Sequence, residues 1–435
     1  MLKTPRADAW RAPAEGLTPR RGGAKVAASN WYAVAVLALI NCFALMDRVG
    51  LSVLMELIKH DLHLTDAQLG LVSGLAFAVF NVLLGLPLAW IADRYSRVKL
   101  ISTCLTLWTA MTALSGFAQS YAQLFLARVG VGVGEAGCHP PAHSLISDYV
   151  PREKRALGIG LFNTGSATGS AVGMALIGVL GQHFGWRAAL QIVGLMGLPL
   201  ALLAYFTLPD PPRPAQHKET IEPPWRSVGT LLRRPAFVNL VLATSIALVG
   251  SMGFSAWLPT FLIRSFHMKM AEAGAWIGGT TSSFAIVGTV VGGLLMSRLF
   301  RRDSRWELWL PAGAVAICAP TFVAMILSPH VWVLLLLHAA TSFLGAIAVG
   351  TSMSSLQSFA EPHRRATAVA IALLLSSLLG TGGGPTLIGF VSTALEPRFG
   401  AESLRYALLI VPGLLLWSVA HYALGARTAL RDRVN

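Results

Sequence analysis

The chain has 435 residues, of which 54% are hydrophobic and 12% charged, with a mean hydropathy of +0.61 and a formal net charge of +14. Soluble domains carry about 25% charged residues. A water-soluble fold of this length has no interior large enough for so much apolar surface, so the composition excludes a soluble protein and indicates a polytopic membrane protein.

Residues 1–29 are polar, basic and rich in Pro and Gly, without a cleavable signal, and are predicted to form a disordered cytoplasmic tail. Apolar runs then fall at 30–58, 66–92, 98–118, 121–149, 156–182, 186–208, 235–265, 271–299, 306–328, 331–359, 366–394 and 404–426. The polar, Pro-rich stretch 209–234 divides these twelve runs into two sets of six. The predicted architecture is all-α: a six-helix bundle over 30–208, a cytoplasmic linker over 209–234, a second bundle over 235–426 and a cytoplasmic tail over 427–435. The tail, the even-numbered connections and the C-terminus hold 26 of the 34 Lys and Arg, and the odd-numbered connections hold 6. That bias predicts both termini on the cytoplasmic side, so the net charge is a topology signal rather than a nucleic-acid footprint. Cys42, Cys104, Cys138 and Cys318 all lie inside apolar runs without metal or redox spacing, and no metal or cofactor is predicted.

The two halves echo each other. Ala89-x-x-x-Asp93-Arg94-x-x-Arg97 follows run two, and Gly293-x-x-x-Ser297-Arg298-x-x-Arg301 follows run eight, 204 positions later. Pro151 with Arg155-Ala156 before run five matches Pro362 with Arg365-Ala366 before run eleven. Duplicated bundles with a site between them are a transporter architecture.

Asp47 and Arg48 stand in the middle of run one, deep inside any bilayer it crosses. Each such charge costs roughly 2.5–3.5 kcal/mol at a helix centre on insertion scales, so partners are expected. Run four supplies them. Arg128 and Glu135 are seven apart on one helix face, and His139 and His143 continue that face at four-residue steps. Gly130, Gly132, Gly134 and Gly137 allow a neighbouring helix to approach, and Pro140-Pro141 predicts a kink on the cytoplasmic side of Glu135. Gly132, Gly134 and Gly137 also satisfy a dinucleotide-binding pattern, which a membrane-length run without a strand–helix unit does not support. Gly165, Gly169 and Gly173 in run five, and Gly380, Gly382, Gly383, Gly384 and Pro385 in run eleven, predict close helix packing.

The segment Ala89 to Lys99 resembles the loop between helices two and three of the major facilitator superfamily, with Ala89 and Ser96 in place of two glycines. Asp93 can hold a neighbouring helix N-terminus there, and Arg94 or Arg97 can pair with Asp148, forming a cytoplasmic latch. Asp47-Arg48, Arg128-x-Gly-x-Gly-x-Gly-Glu135-Ala136, Pro140-Pro141 and Ser144-Leu145-Ile146-x-Asp148-x-x-Pro151 resemble the spinster branch of that superfamily. The resemblance implies the major facilitator fold and a proton-linked or facilitative carrier of lysolipids or sphingoid lipids.

The residues themselves suggest a proton-responsive switch. Burial and a paired Arg48 act on the Glu135 proton in opposite senses. Ionised Glu135 can hold Arg48; protonated Glu135 frees Arg48 for an anionic headgroup. Asp47 is a second proton acceptor or a positioner of Arg48, and Arg128 and His139 are supporting groups. Arg128 is expected nearer the outer side, bracing helices one and four. Runs seven to twelve carry no Asp, Glu, Lys or Arg at mid-membrane and offer an apolar, hydroxylated wall with Ser251, Phe254, Trp257, Thr281, Ser282 and Ser352 among its groups. The expected function is alternating-access transport of an anionic or zwitterionic lipid-like amphiphile by a monomer in the inner membrane, with protons as partner and no nucleic acid. A carrier of small organic anions or drugs is the alternative. A lipid enzyme is not favoured, because no nucleophile-and-base pair, HExxH or P-loop is present.

Overall fold

A computed structural model describes residues 23–211 and 224–433. Residues 1–22, 212–223, 434 and 435 lie outside it, and with them most of the predicted N-terminal tail, half of the linker and the last two residues of the C-terminal tail. All regular secondary structure among the described residues is helical. In lipid every backbone N–H and C=O must be satisfied within its own segment, and a helix does this. The elements are α1 (Gly23–Leu62), α2 (Asp66–Ser73), α3 (Leu75–Arg94), α4 (Arg97–Ser115), α5 (Tyr121–Ala136), α6 (His139–Tyr149), α7 (Arg155–Thr207) and α8 (Pro224–Leu232). They continue with α9 (Pro235–Phe266), α10 (Met270–Phe300), α11 (Trp306–Leu327), α12 (Val331–Ser355), α13 (Arg365–Leu375), α14 (Gly384–Phe399), α15 (Ser403–Leu408) and α16 (Ile410–Asp432).

Among the described residues, nine helical stretches are long and apolar enough to cross a membrane. Two of them, Arg152–Thr207 and Thr367–Asp432, would run roughly 80–100 Å if straight, so each doubles back. The reversals fall at Gly185 (φ 79°) and Gly400 (φ 54°), backbone conformations that side chains other than glycine rarely adopt. A further pass, Tyr121–Tyr149, is broken at Gly137-Cys138, just before the Pro140-Pro141 pair in the first turn of α6. The chain therefore makes twelve passes in two sets of six. The repeat extends to backbone detail: His63 and His267, again 204 positions apart, both close their helices with φ 52°.

Close packing follows the glycines. Gly165, Gly169 and Gly173 of α7 lie directly on the α1 backbone at Ala38, Cys42 and Met46, where any Cβ would overlap it. Gly132 of α5 lies against the Phe77 backbone of α3, and Gly134 against α4 at Trp108. The two halves meet through a symmetric pair of contacts. In one, Gly274 and Gly278 of α10 rest on Met174 and Ala171 of α7; in the other, Gly70 and Gly74 rest on Pro385 and Gly382. Between α13 and α14 the chain widens into a π-helical segment, Ser376–Gly383, followed by Gly384-Pro385. Pro385 has no N–H to continue the ladder, so the irregular turn is placed where the neighbouring half packs on it.

Among the described residues, hydrogen bonds between the halves run from the end opposite the termini to mid-depth: Ala67 N–H to Thr393 (2.8 Å), Thr386 to the Gly70 carbonyl (3.0 Å), and Ser282 to the Ala167 carbonyl (2.9 Å). At the end carrying the termini each half has ion pairs of its own. Arg97 binds Asp148 and Asp210 in one half, and Arg234 binds Glu361 in the other.

Candidate transport site

Asp47 and Arg48 are adjacent on α1, so their side chains leave the helix about 100° apart and reach different neighbours. Asp47 turns into the first bundle and is 1% exposed. Its Oδ1 accepts from Thr112 of α4 at 2.7 Å, and its Oδ2 accepts from Arg128 of α5 at 3.3 Å. Arg48 donates to Oε1 of Glu135, on the same helix as Arg128, and lies over the Phe77 ring at 4.6 Å. Glu135 and Arg128 are each 1% exposed, whereas the Arg48 side chain keeps 30% of its surface. Two guanidinium groups and two carboxylates thus form a charge-balanced quartet that crosses from α1 to α5 twice. Arg48 is its accessible member. The buried Nε of Arg48 and that of Arg128 have no protein acceptor.

Arg128 braces the first and fourth passes as expected, and it does so as the direct partner of Asp47. The quartet differs from expectation at His139. Residues 137 and 138 leave the helix, so Glu135 lies in the last turn of one helix and His139 begins the next, and a shared face at four-residue spacing does not carry across. His139 and His143 instead flank the Phe162 ring at 6.2 and 5.1 Å. Asn41 donates to the Phe162 carbonyl at 2.9 Å and to Ser166 at 2.7 Å, fixing this neighbour of the quartet.

The sequence model of the Major Facilitator Superfamily matches residues 37–385. An "MFS-type efflux pump" of Mycolicibacterium smegmatis is 33% identical over 417 residues, covering 93% of this chain and 94% of that protein. "Protein spinster homolog 1" of Xenopus tropicalis is 30% identical over 415 residues, 87% of this chain and 77% of that one. The chain belongs to the spinster family of the major facilitator superfamily. Its fold matches the crystal structure of a bacterial homolog of the human lysosomal transporter Spinster in an inward-facing, unoccupied conformation. That match has a TM-score of 0.86 at 29% identity and covers 94% of this chain and 99% of that one. The inward-facing, occupied form of that homolog matches with a TM-score of 0.83. The protein is a multi-pass membrane transporter rather than an enzyme.

Of the four residues expected to form this spinster-family transporter's latch, the structure brings two together. Arg97, 3% exposed, donates to Asp148 at 2.5 Å and to Ser144 at 2.9 Å, and also reaches Asp210 and the Pro211 carbonyl at the start of the linker. Asp93 and Arg94 face outward at the end of α3, and Arg94 stacks over Trp90 at 3.6 Å.

A second charge cluster escaped the sequence reading. Asp66, at the start of α2, is 0% exposed. It accepts from Lys59 of α1 at 2.8 Å, from Arg264 of α9 at 2.9 and 3.2 Å, and from Ser392 of α14 at 2.6 Å. Arg264 also binds Glu56 of α1 at 2.9 Å. The cluster joins both halves at the end opposite the termini. Its signal in the sequence was the pairing of Glu56 and Asp66 with Lys59 and Arg264, two of the few basic residues on that side.

The second bundle lines an apolar chamber of about 400 Å³. Phe254, Met252, Phe322 and Val349 line it, with Ser251, Thr281 and His338 as polar groups. Ser251, Phe254 and Thr281 belong to the predicted wall. Trp257 does not: it is 0% exposed and donates to the Pro385 carbonyl at 2.9 Å. Ser282 and Ser352 are likewise engaged, with the Ala167 carbonyl and with Tyr422. His338 was missed. It is 6% exposed, and its Nε2 meets Thr281 at 2.9 Å.

Proposed function

We propose that the transporter moves an anionic or zwitterionic lipid-like amphiphile of the lysolipid or sphingoid class by alternating access, coupled to protons at Glu135. The observation that carries this reading is the Arg48–Glu135 pair, with one member buried and the other partly accessible. The quartet is neutral when both carboxylates are ionised. A proton on Glu135 leaves one uncompensated positive charge, centred on Arg48, which an anionic headgroup can neutralise. Asp47, bonded to Arg128 and Thr112, is the fixed half that positions Arg48, with a second protonation as its other role. His139, beside Phe162, is a supporting group. The apolar chamber across the molecule suits an acyl or alkyl chain.

The sidedness follows the basic residues: both termini and the 209–234 linker lie in the cytoplasm, in the plasma (inner) membrane. The end closed by Asp66 and Arg264 is then external, and this structure corresponds to the inward-facing state. Asp93 and Arg94 are left to engage when the cytoplasmic side closes, as a monomer completes its cycle. Similarity to an efflux pump favours a second reading, export of small organic anions or drugs by the same quartet.

Uptake into proteoliposomes, with the Arg48→Ala variant and headgroups of different charge, tests the substrate reading. Loss of a charge-assisted bond worth about 1.5–3 kcal/mol should weaken anionic substrates roughly 10- to 100-fold and spare uncharged ones. Equal losses for both would remove Arg48 from headgroup recognition.

A further inference from the structure

The apolar chamber adjoins a second cavity of about 540 Å³, which shares Thr289 of α10 and Gly350 of α12 with it and lies toward the end carrying the termini. Hydroxyl groups dominate its polar lining, and a single charged side chain enters it, Glu307 of α11. Glu307 is 7% exposed. Its Oε1 accepts from Ser358 at 2.7 Å and from Arg433 at 3.3 Å. Arg433 follows the last residue of α16 and also lies over the ring of Phe300, a second lining residue, at 4.6 Å. The ion pair is longer than the 2.7–2.9 Å of a tight charge-assisted bond, and Arg433 keeps 25% of its side-chain surface. A buried carboxylate facing a cavity is thus satisfied by a loosely held cation from the end of the chain.

We propose that this cavity binds the cationic head of a single-chain amphiphile, a primary ammonium or trimethylammonium group. Glu307 supplies the counter-charge and Phe300 the aromatic face that attracts a cation. The chain of the ligand passes Thr289 and Gly350 into the apolar chamber. Arg433 stands where the head would sit, so it competes with the ligand as a tethered plug. An anionic head meets the Glu307 carboxylate and is rejected. The site deepens the amphiphile reading and shares with it only the apolar chamber; Arg48 and Glu135 take no part.

The test reads binding, without a proton gradient or transport, so its failure leaves the transport reading standing. Full-length protein in lipid nanodiscs is titrated with radiolabelled tetradecyltrimethylammonium, with tetradecyl sulfate and tetradecanol as controls and empty nanodiscs subtracted. Glu307→Gln should lower the cation's affinity about tenfold or more and leave the alcohol unchanged. Arg433→Ala should raise the cation's affinity about 3- to 10-fold by removing the competitor. Should Glu307→Gln fail to fold, the Arg433→Ala gain decides alone, since an ion pair with a purely structural role predicts no gain. Unchanged cation binding in Glu307→Gln, or no gain in Arg433→Ala, overturns the proposal.

Discussion

Two clusters of charged side chains stand in different relations to the two halves. Asp47, Arg48, Arg128 and Glu135 all belong to the first bundle, on α1 and α5. Glu56, Lys59 and Asp66 belong to that bundle too, but Arg264 comes from the other. Both bury carboxylates: Asp47, Glu135 and Asp66 are each 0–1% exposed, while Glu56 keeps 14% of its side-chain surface. In alternating access, a cluster inside one rigid body keeps its partners through the cycle and responds only to protons or ligand. A cluster spanning two bodies breaks when they separate, so it weights one state against the other. On the proposed function, charge at mid-depth reads the cargo, and charge at the end opposite the termini sets how readily that end opens.

The largest effect that sharpens this contrast is at Asp66. Asp66→Asn leaves Arg264 and Lys59 without their buried carboxylate, and breaking a buried ion set in this way costs about 3–5 kcal/mol. With the sidedness proposed above, that cost falls on the externally closed state alone. Electron–electron distances between spin labels at Thr65 and Lys269, in a background without native cysteines, should shift toward a separated external end. An unchanged distribution would reduce the cluster to a fold-stabilising contact. A smaller effect is expected at Thr112, which lies wholly within one bundle. Thr112→Val removes a hydrogen bond to a buried carboxylate, worth about 1.5–3 kcal/mol. It should lower the thermal unfolding midpoint while the label distances stay as they are; a shifted distance at unchanged stability would erase the distinction between the clusters.

The smallest effect lies outside the membrane, at Glu361, and depends on pH. Burial works against its charged form. Its own backbone N–H, Arg234 and Arg364 more than offset this and hold the carboxyl below its ordinary value. A carboxyl depressed in the folded state contributes stability above its unfolded pKa and loses it as pH falls through the folded value. Glu361→Gln should therefore be destabilising at neutral pH and indistinguishable from the parent below both values. Unfolding midpoints across an acid series read this directly; a difference that grows toward low pH would contradict it.

The twelve passes, the two halves and the depth of Asp47, Arg48, Arg128 and Glu135 were legible because hydropathy and basic-residue bias are one-dimensional signals. Partner choice was legible only in part: the Arg48–Glu135 pair was expected, the Asp47–Arg128 pair was not. Depth alone suggested that helices one and four meet, yet adjacent residues diverging by about 100° on a helix decide that Asp47 takes Arg128 and Arg48 takes Glu135. The break at Gly137-Cys138 was signalled by Pro140-Pro141, but its consequence for His139 needed coordinates. Arg264 and Asp66 sit at helix ends, where a charge reads as an ordinary interfacial residue until its partner from the other half is seen. Glu307, His338 and Trp257 show the converse. Their roles depend on which helix face borders a cavity, and runs this uniformly apolar carry little facial periodicity. The latch motif was recognisable as a motif, while only Arg97 and Asp148 are joined in this conformation.

Proton flux measured together with substrate flux in proteoliposomes, for the parent protein and Glu135→Gln, tests the central claim most directly. A substrate gradient should drive measurable proton movement through the parent. In the variant, substrate exchange should persist with the proton movement abolished and the folded yield unchanged. Proton movement of the same size per substrate in the variant would contradict the assignment of coupling to Glu135.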